Sequence, residues 1–159
     1  MGSTPLGVPL SQVNMGTGHS YDEPFYLDGR SRTMITNVDF VSIDVADQQR
    51  AKAFYTDVLG FEEVTDVPMG DPDGPRWIVL RPPGSDTTVV LFHNPDGAGG
   101  FGPCVFDTDD IVATAKDIEA AGGEILEQPA LAPWGSWWAR FRDSEGNQIG
   151  MGQRGSGER

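Results

Sequence analysis

Between Asn37 and Phe61 the chain changes its hydrophobic period. Val41, Ile43 and Val45 alternate with Phe40, Ser42 and Asp44, which predicts a strand with one aliphatic face. Ala51, Phe54, Tyr55, Val58 and Leu59 then recur at helical spacing and predict a single apolar stripe. Asp47 is placed to cap that helix, and Gly60 to end it in a left-handed conformation. The aliphatic strand face and the helix stripe cover each other. The face carrying Phe40, Ser42 and Asp44 is left to line something else.

Three strands follow, over residues 62–67, 76–80 and 87–93. Asp71-Pro-Asp-Gly-Pro and Pro82-Pro-Gly-Ser-Asp separate them as turns, because proline fixes φ and glycine accepts positive φ. Connections this short predict an antiparallel meander. A glycine-rich linker, Asn94 to Gly102, comes next, and the pattern then repeats. A strand over 103–108 leads to a cap at Asp109-Asp110 and a helix over 111–121 with Ile111, Ala115 and Ile118 on one side. Gly122-Gly123 stops it, and strands over 124–128, 136–142 and 148–152 complete the unit. Phe40, Asp47 and Gly60 recur in step as Pro103, Asp110 and Gly123. The fold class is therefore α+β, built of two βαβββ modules. Module one covers 34–94 and module two 102–153, after an extension over 1–33 and before a tail over 154–159.

Composition narrows the function classes. The 159 residues suit one domain, and no apolar run approaches the roughly 20 residues that span a bilayer. Twenty-four acidic residues against 11 basic ones give a formal charge of −13, which repels a phosphate backbone and argues against nucleic acid as partner. The acidity is spread along the chain, as solubility requires. A single cysteine, Cys104, and no visible secretory signal point to a reducing, cytoplasmic setting.

Several stretches carry a family resemblance. Val45-Ala-Asp, followed by Ala53-Phe-Tyr-Thr-Asp-Val-Leu-Gly-Phe, resembles the first-module signature of the vicinal oxygen chelate superfamily, which includes glyoxalase I, bleomycin-resistance proteins and extradiol dioxygenases. The Asp109-Asp-Ile helix start and Pro133-Trp-Gly agree with it. So does Phe141-Arg-Asp-Ser-Glu-Gly-Asn, where Ser144 stands in place of the family's proline. The resemblance implies mixed sheets curled around a shared cleft, and a homodimer. It also implies four cleft positions that supply metal ligands in metal-dependent members. These fall here on Phe40, Val90, Pro103 and Gly150, none of which can coordinate a divalent cation. No cofactor is therefore expected, with a divalent metal held in a rearranged site as the alternative.

Alternation predicts a cleft lined by Phe40, Ser42, Thr88, Val90, Phe92, Pro103, Val105, Gln148 and Gly150, an apolar-to-mixed wall suited to a small molecule. Trp137 and Trp138 are adjacent in one strand and point to opposite faces, so only one of them lines the cleft. Asp44, Asp107 and Arg140 are the candidate acid–base groups. Arg140 and Arg142 share a face and are placed to pair with the aspartates or with an anion. His93 and Cys104 have helix-facing parity and read as structural. The resulting expectation is a metal-independent protein that sequesters a small aromatic or amphipathic ligand. The alternative is a glyoxalase-like lyase or isomerase with a non-standard metal site or Asp/Arg catalysis.

Overall fold

The predicted alternation becomes β1 (Phe40–Val45), in which Ile43 and Val45 are buried and Phe40 and Ser42 exposed. The helix α1 (Gln48–Ala53) is capped by Asp47, whose carboxylate accepts the backbone N–H groups of Gln49 and Arg50. Three strands follow, β2 (Glu62–Pro68), β3 (Arg76–Arg81) and β4 (Thr88–His93), then β5 (Phe101–Asp107). Module two continues with α2 (Ile111–Ala120), β6 (Glu124–Leu131), β7 (Trp137–Arg142) and β8 (Gln148–Gln153). The structure is a computed structural model in which residues 35–153 are described. The extension over 1–33 and the tail over 154–159 lie outside the described residues. No helix among the described residues is long and apolar enough to cross a membrane.

The two modules form two four-stranded sheets, ordered β1-β4-β3-β2 and β5-β8-β7-β6. β1 pairs with β4 and β5 with β8 in parallel, and the other ladders are antiparallel. The edge strands β1 and β5 are neighbours. The sheets are mixed and open, as the βαβββ pattern requires.

One hydrophobic core joins the helix-bearing sides of both modules. Ile43, Leu80 and Leu91 from module one meet Ile111, Ile118 and Phe141 from module two. Past Ala53 the first helix widens into a π-helical turn over Phe54–Val58, with Leu59 N–H donating to the Phe54 carbonyl at 3.3 Å. Within that turn Tyr55 is fully buried, its ring against Phe61 and Phe106, while Phe54 reaches Phe141 of β7. Gln48 is buried at the helix start. Its Nε2 donates to the carbonyls of Arg76 and Leu91, and its Oε1 accepts the Arg76 N–H. Helix, β3 and β4 are thereby fixed to one another.

The linker is shorter than expected. β5 begins at Phe101 rather than at Pro103, because Gly102 lies so close to Ile149 that a Cβ would collide with its Cδ1. The Gln148 N–H reaches the Gly100 carbonyl at 2.8 Å, so the glycines let β5 start alongside β8. β6 also runs on to Leu131, three residues past its expected end.

The turn Asp143-Ser-Glu-Gly-Asn between β7 and β8 clasps module two to module one. Asp143 is buried and accepts from Tyr55 Oη at 2.9 Å and from Asn147 Nδ2 at 3.0 Å. Its other oxygen accepts the backbone N–H groups of Glu145 and Asn147. Asn147 Nδ2 also reaches the Asp44 carbonyl of β1, and its Oδ1 accepts the Gly99 N–H. Glu145 accepts the N–H groups of Ala46 and Asp47 through Oε2 and the Arg50 guanidinium through both oxygens.

The Glu145 side chain has no solvent exposure. Burial by itself would raise its pKa, but the Arg50 and backbone hydrogen bonds outweigh it and hold the carboxyl below the usual glutamate range. A depressed folded pKa means that the linked stability is complete above the unfolded-chain value of 4.5 and is lost as pH falls through the lower folded value. Asp66 is depressed in the same sense. Its burial is outweighed by hydrogen bonds from Lys52 and Arg76. Glu145→Gln is therefore expected to cost about 1–3 kcal/mol near neutral pH and to flatten the acid limb of a melting-temperature profile. An acid limb as steep as that of wild type would remove Glu145 from this role.

Candidate functional site

The candidate site lies on the sheet faces opposite the helices. On β1 and β4 this face carries Phe40, Ser42 and Asp44 beside Thr88, Val90 and Phe92, through the pairs Phe40–Thr88, Ser42–Val90 and Asp44–Phe92. On β3 it carries Trp77, Val79 and Arg81, because Ile78 and Leu80 belong to the core. Phe40 and Trp77 meet edge to face, with ring centroids 5.9 Å apart. They sit on β1 and β3, with β4 between them, so the pair arches over β4. The β4 residue beneath is Val90, which is 1% exposed. Phe40 and Phe92 nevertheless keep 44% and 43% of their surface open. Module one thus offers an aromatic wall with accessible ring faces.

In module two the corresponding face carries Trp138, Arg140 and Arg142 of β7, since Ala139 and Phe141 point into the core. Trp138, not Trp137, is the tryptophan of this side. Trp137 has the core-side parity and remains half open beside Leu131 at the β6–β7 hairpin. The Trp138 indole crosses to the neighbouring strand and covers Gly150. A Cβ placed on Gly150 would lie 2.5 Å from the Trp138 ring. The ring is held by Nε1 donating to Glu127 at 2.7 Å and by an edge contact with Trp134 at 6.0 Å. Pro103 and Val105 are exposed on β5, and Gln148 is half-buried on β8.

The candidate acid–base groups are placed differently from their expectation. Arg140 and Arg142 pair with Glu127 and Glu124 of β6, directly across the ladder, rather than with Asp44. The Arg140 guanidinium also lies over the Phe101 ring, 5.7 Å from its centroid. Asp44 is packed under the turn at 94–97, its carboxylate where a Cβ on Gly97 would go. Asp107 sits at the end of β5 opposite Gly152. Across β8, Asp107 is level with Gly152 and Arg140 with Gly150, while Asp44 lies in module one. His93 is the exposed last residue of β4, with helix-side parity. Cys104 is half-buried, and burial raises its thiol pKa, which disfavours the nucleophilic thiolate at neutral pH.

The resemblance implies four ligand positions for a divalent metal, and the residues at them can be tested for fit. Phe40, Val90, Pro103 and Gly150 bring no ligating side chain, and the space where a side chain at 150 would begin is taken by indole. Among the described residues no three His, Cys, Asp or Glu side chains gather as a metal site. These residues do not fit a divalent cation at the family position.

Sequence and structure comparisons agree with this architecture. The chain is 33% identical over 117 residues to YetH, an uncharacterized protein of Bacillus subtilis, a match spanning 72% of this chain and 95% of that one. A superfamily member from Sphaerobacter thermophilus shares 34% identity with a TM-score of 0.68, covering 77% of this chain and all of that one. TnmS3, an antibiotic binding protein from a Streptomyces species, shares 32% identity with a TM-score of 0.67, covering 78% of this chain and all of that one. The family model of the Glyoxalase/Bleomycin resistance protein/Dioxygenase superfamily matches residues 37–151, which contain both modules from β1 to the middle of β8. With the twice-repeated βαβββ unit and its two open sheets, the chain belongs to that superfamily.

Proposed function

We propose that the protein binds a small aromatic or amphipathic organic molecule against the Phe40–Trp77–Phe92 wall and the Trp138 side, without a metal ion, and acts by sequestration. The observation that carries this reading is the indole of Trp138 over Gly150, together with three other family ligand positions that hold Phe40, Val90 and Pro103. At two of these positions an aromatic face, Phe40 or the Trp138 indole, stands in place of a donor, and flat apolar ligands are what such faces bind. The likeness to an antibiotic binding protein at 32% identity supports the same choice. A homodimer is the assembly we favour, supported by the open Leu131, Trp134 and Trp137 at the β6–β7 hairpin. A cytoplasmic setting is supported by the single free cysteine.

The test is metal analysis of the purified protein, with melting curves before and after dialysis against a chelator. No stoichiometric divalent cation is expected, and the melting temperature should move by less than about 1 °C, since only a ligand bound to the folded state stabilises it. A panel of bicyclic and tricyclic aromatics should raise the melting temperature in the same buffer. Retained stoichiometric zinc or nickel, with a clear drop on chelation, would return the protein to the metal-dependent lyases and isomerases.

A further inference from the structure

We infer that Arg81 is an anion anchor in this cleft, and that the ligand is a planar aromatic molecule bearing a carboxylate or similar acidic group. The inference rests on the small-molecule reading above and narrows it.

The starting point is an imbalance of charge. In a chain of formal charge −13, a cation has no shortage of carboxylates to pair with. Among the described residues the cations are Arg50, Lys52, Arg76, Arg81, Lys116, Arg140 and Arg142. Five of them form ion pairs with Glu145, Glu63, Asp66, Glu127 or Glu124. Lys116 is exposed on α2, where water solvates it. Arg81 is the exception. It is half-buried, its Nε is shielded from solvent, and that Nε has no hydrogen-bond partner among the described residues. Arg140 also has an unpartnered Nε, but its terminal nitrogen is held by Glu127 and its face by Phe101.

A guanidinium N–H that is shielded from water and lacks an acceptor is unfavourable unless something else supplies one, and an anion is the strongest acceptor. The placement of Arg81 says what that is. It shares the cleft face of β3 with Trp77 and Val79. The β3–β4 register, carried one residue further, sets it beside Thr88, and Thr88 pairs with Phe40. One row across the sheet therefore runs from the Phe40 ring through Thr88 to the guanidinium, a span of about 10 Å over two strand spacings. An aromatic ring lying on the Phe40–Trp77 wall would carry a carboxylate to Arg81, whose planar fork matches it with two parallel hydrogen bonds. Glu62 faces Arg81 across the β2–β3 ladder, yet the two form no ion pair. Glu62 is the nearest competitor for the guanidinium, and its exposure on an edge strand lets it stay in water.

The test uses the purified full chain and two isosteric probes, naphthoate and naphthamide, titrated by tryptophan fluorescence and calorimetry. Wild type is expected to bind naphthoate about tenfold or more tighter than naphthamide. In Arg81→Gln that preference should vanish while naphthamide binding is unchanged. Arg81→Lys should retain only part of it, because the charge remains and the fork is lost. Arg81→Gln should also melt no lower than wild type, since no internal partner is removed. Equal binding of acid and amide by wild type, a preference that persists in Arg81→Gln, or a melting temperature several degrees lower in that variant would each overturn the assignment. Neutral aromatics that bind while the acid gains nothing would leave the small-molecule reading intact and remove only Arg81. A protein that binds neither probe, nor any neutral aromatic of the wider panel, would remove both.

Discussion

Asp143→Ala is expected to be the most damaging single substitution outside the apolar core, costing about 3–5 kcal/mol. The carboxylate is buried and accepts four hydrogen bonds, from Tyr55 Oη, Asn147 Nδ2 and the N–H groups of Glu145 and Asn147. Alanine leaves Tyr55 Oη and the N–H groups of Glu145 and Asn147 without this acceptor, while Asn147 Nδ2 keeps only the Asp44 carbonyl, and each buried unsatisfied group costs about 1–3 kcal/mol. It also frees Tyr55, the side chain that ties the π-helical turn of module one to module two. Burial and the Asp143 carboxylate push the tyrosine hydroxyl well above its ordinary pKa. The neutral hydroxyl is thus the form that holds the clasp, up to the unfolded-chain value of 10.0, and stability falls as pH rises above that value. Against a typical total of about 5–15 kcal/mol, the loss should bring the urea midpoint down by about a fifth or more. Tyr55→Phe removes one bond of the set and should cost about 1–3 kcal/mol. If Asp143→Ala unfolded within 1 kcal/mol of wild type, the clasp would not be holding the modules together.

The second large effect is expected at Gly150. Gly150→Ala should destabilise by about 1–3 kcal/mol, the usual cost of overpacking a filled site. The atom in the way is the tip of the Trp138 ring, which cannot swing aside without giving up its bond to Glu127. In a Trp138→Ala background the same Gly150→Ala change should cost far less, and the difference between the two backgrounds is the coupling energy. Additive effects would show that indole and glycine are not sharing that space. The same logic applies to installing a metal ligand at 150. Gly150→His is expected to displace Trp138 rather than to create a cation site.

The parts of this protein that were legible in the sequence are those set by local periodicity. Val41, Ile43 and Val45 turn inward as their alternation requires, and Ile111, Ala115 and Ile118 bury one side of α2. Asp47 and Asp110 cap their helices, and Gly60 takes a positive φ of 72° where the first helix must stop. The repeat of the unit then fixed the two modules. Contacts between strands that are not sheet neighbours left no such mark. Phe40 reaches Trp77 across β4, and nothing in either residue's own surroundings encodes that meeting. Parity gave the opposite faces of Trp137 and Trp138, but which one faces the cleft depends on where β7 sits in its sheet. Charge and parity offered Arg140 and Arg142 either the aspartates or an anion, and the glutamates of β6 that pair with them follow only from the β6–β7 register. The clasp was visible only as a turn motif, because its partners lie 88 to 103 residues away in the chain.

The position of the clasp bears on how this scaffold can change. Asp143, Glu145 and Asn147 join the modules at the end of the β7–β8 hairpin, and the shared core lies on the helix side. Gly150 apart, residues on the open side such as Ser42, Phe92 and Val105 take no part in either. Selection can therefore act on ligand preference there one residue at a time, with each step nearly neutral for folding. In this architecture the open face and cohesion draw on separate sets of side chains.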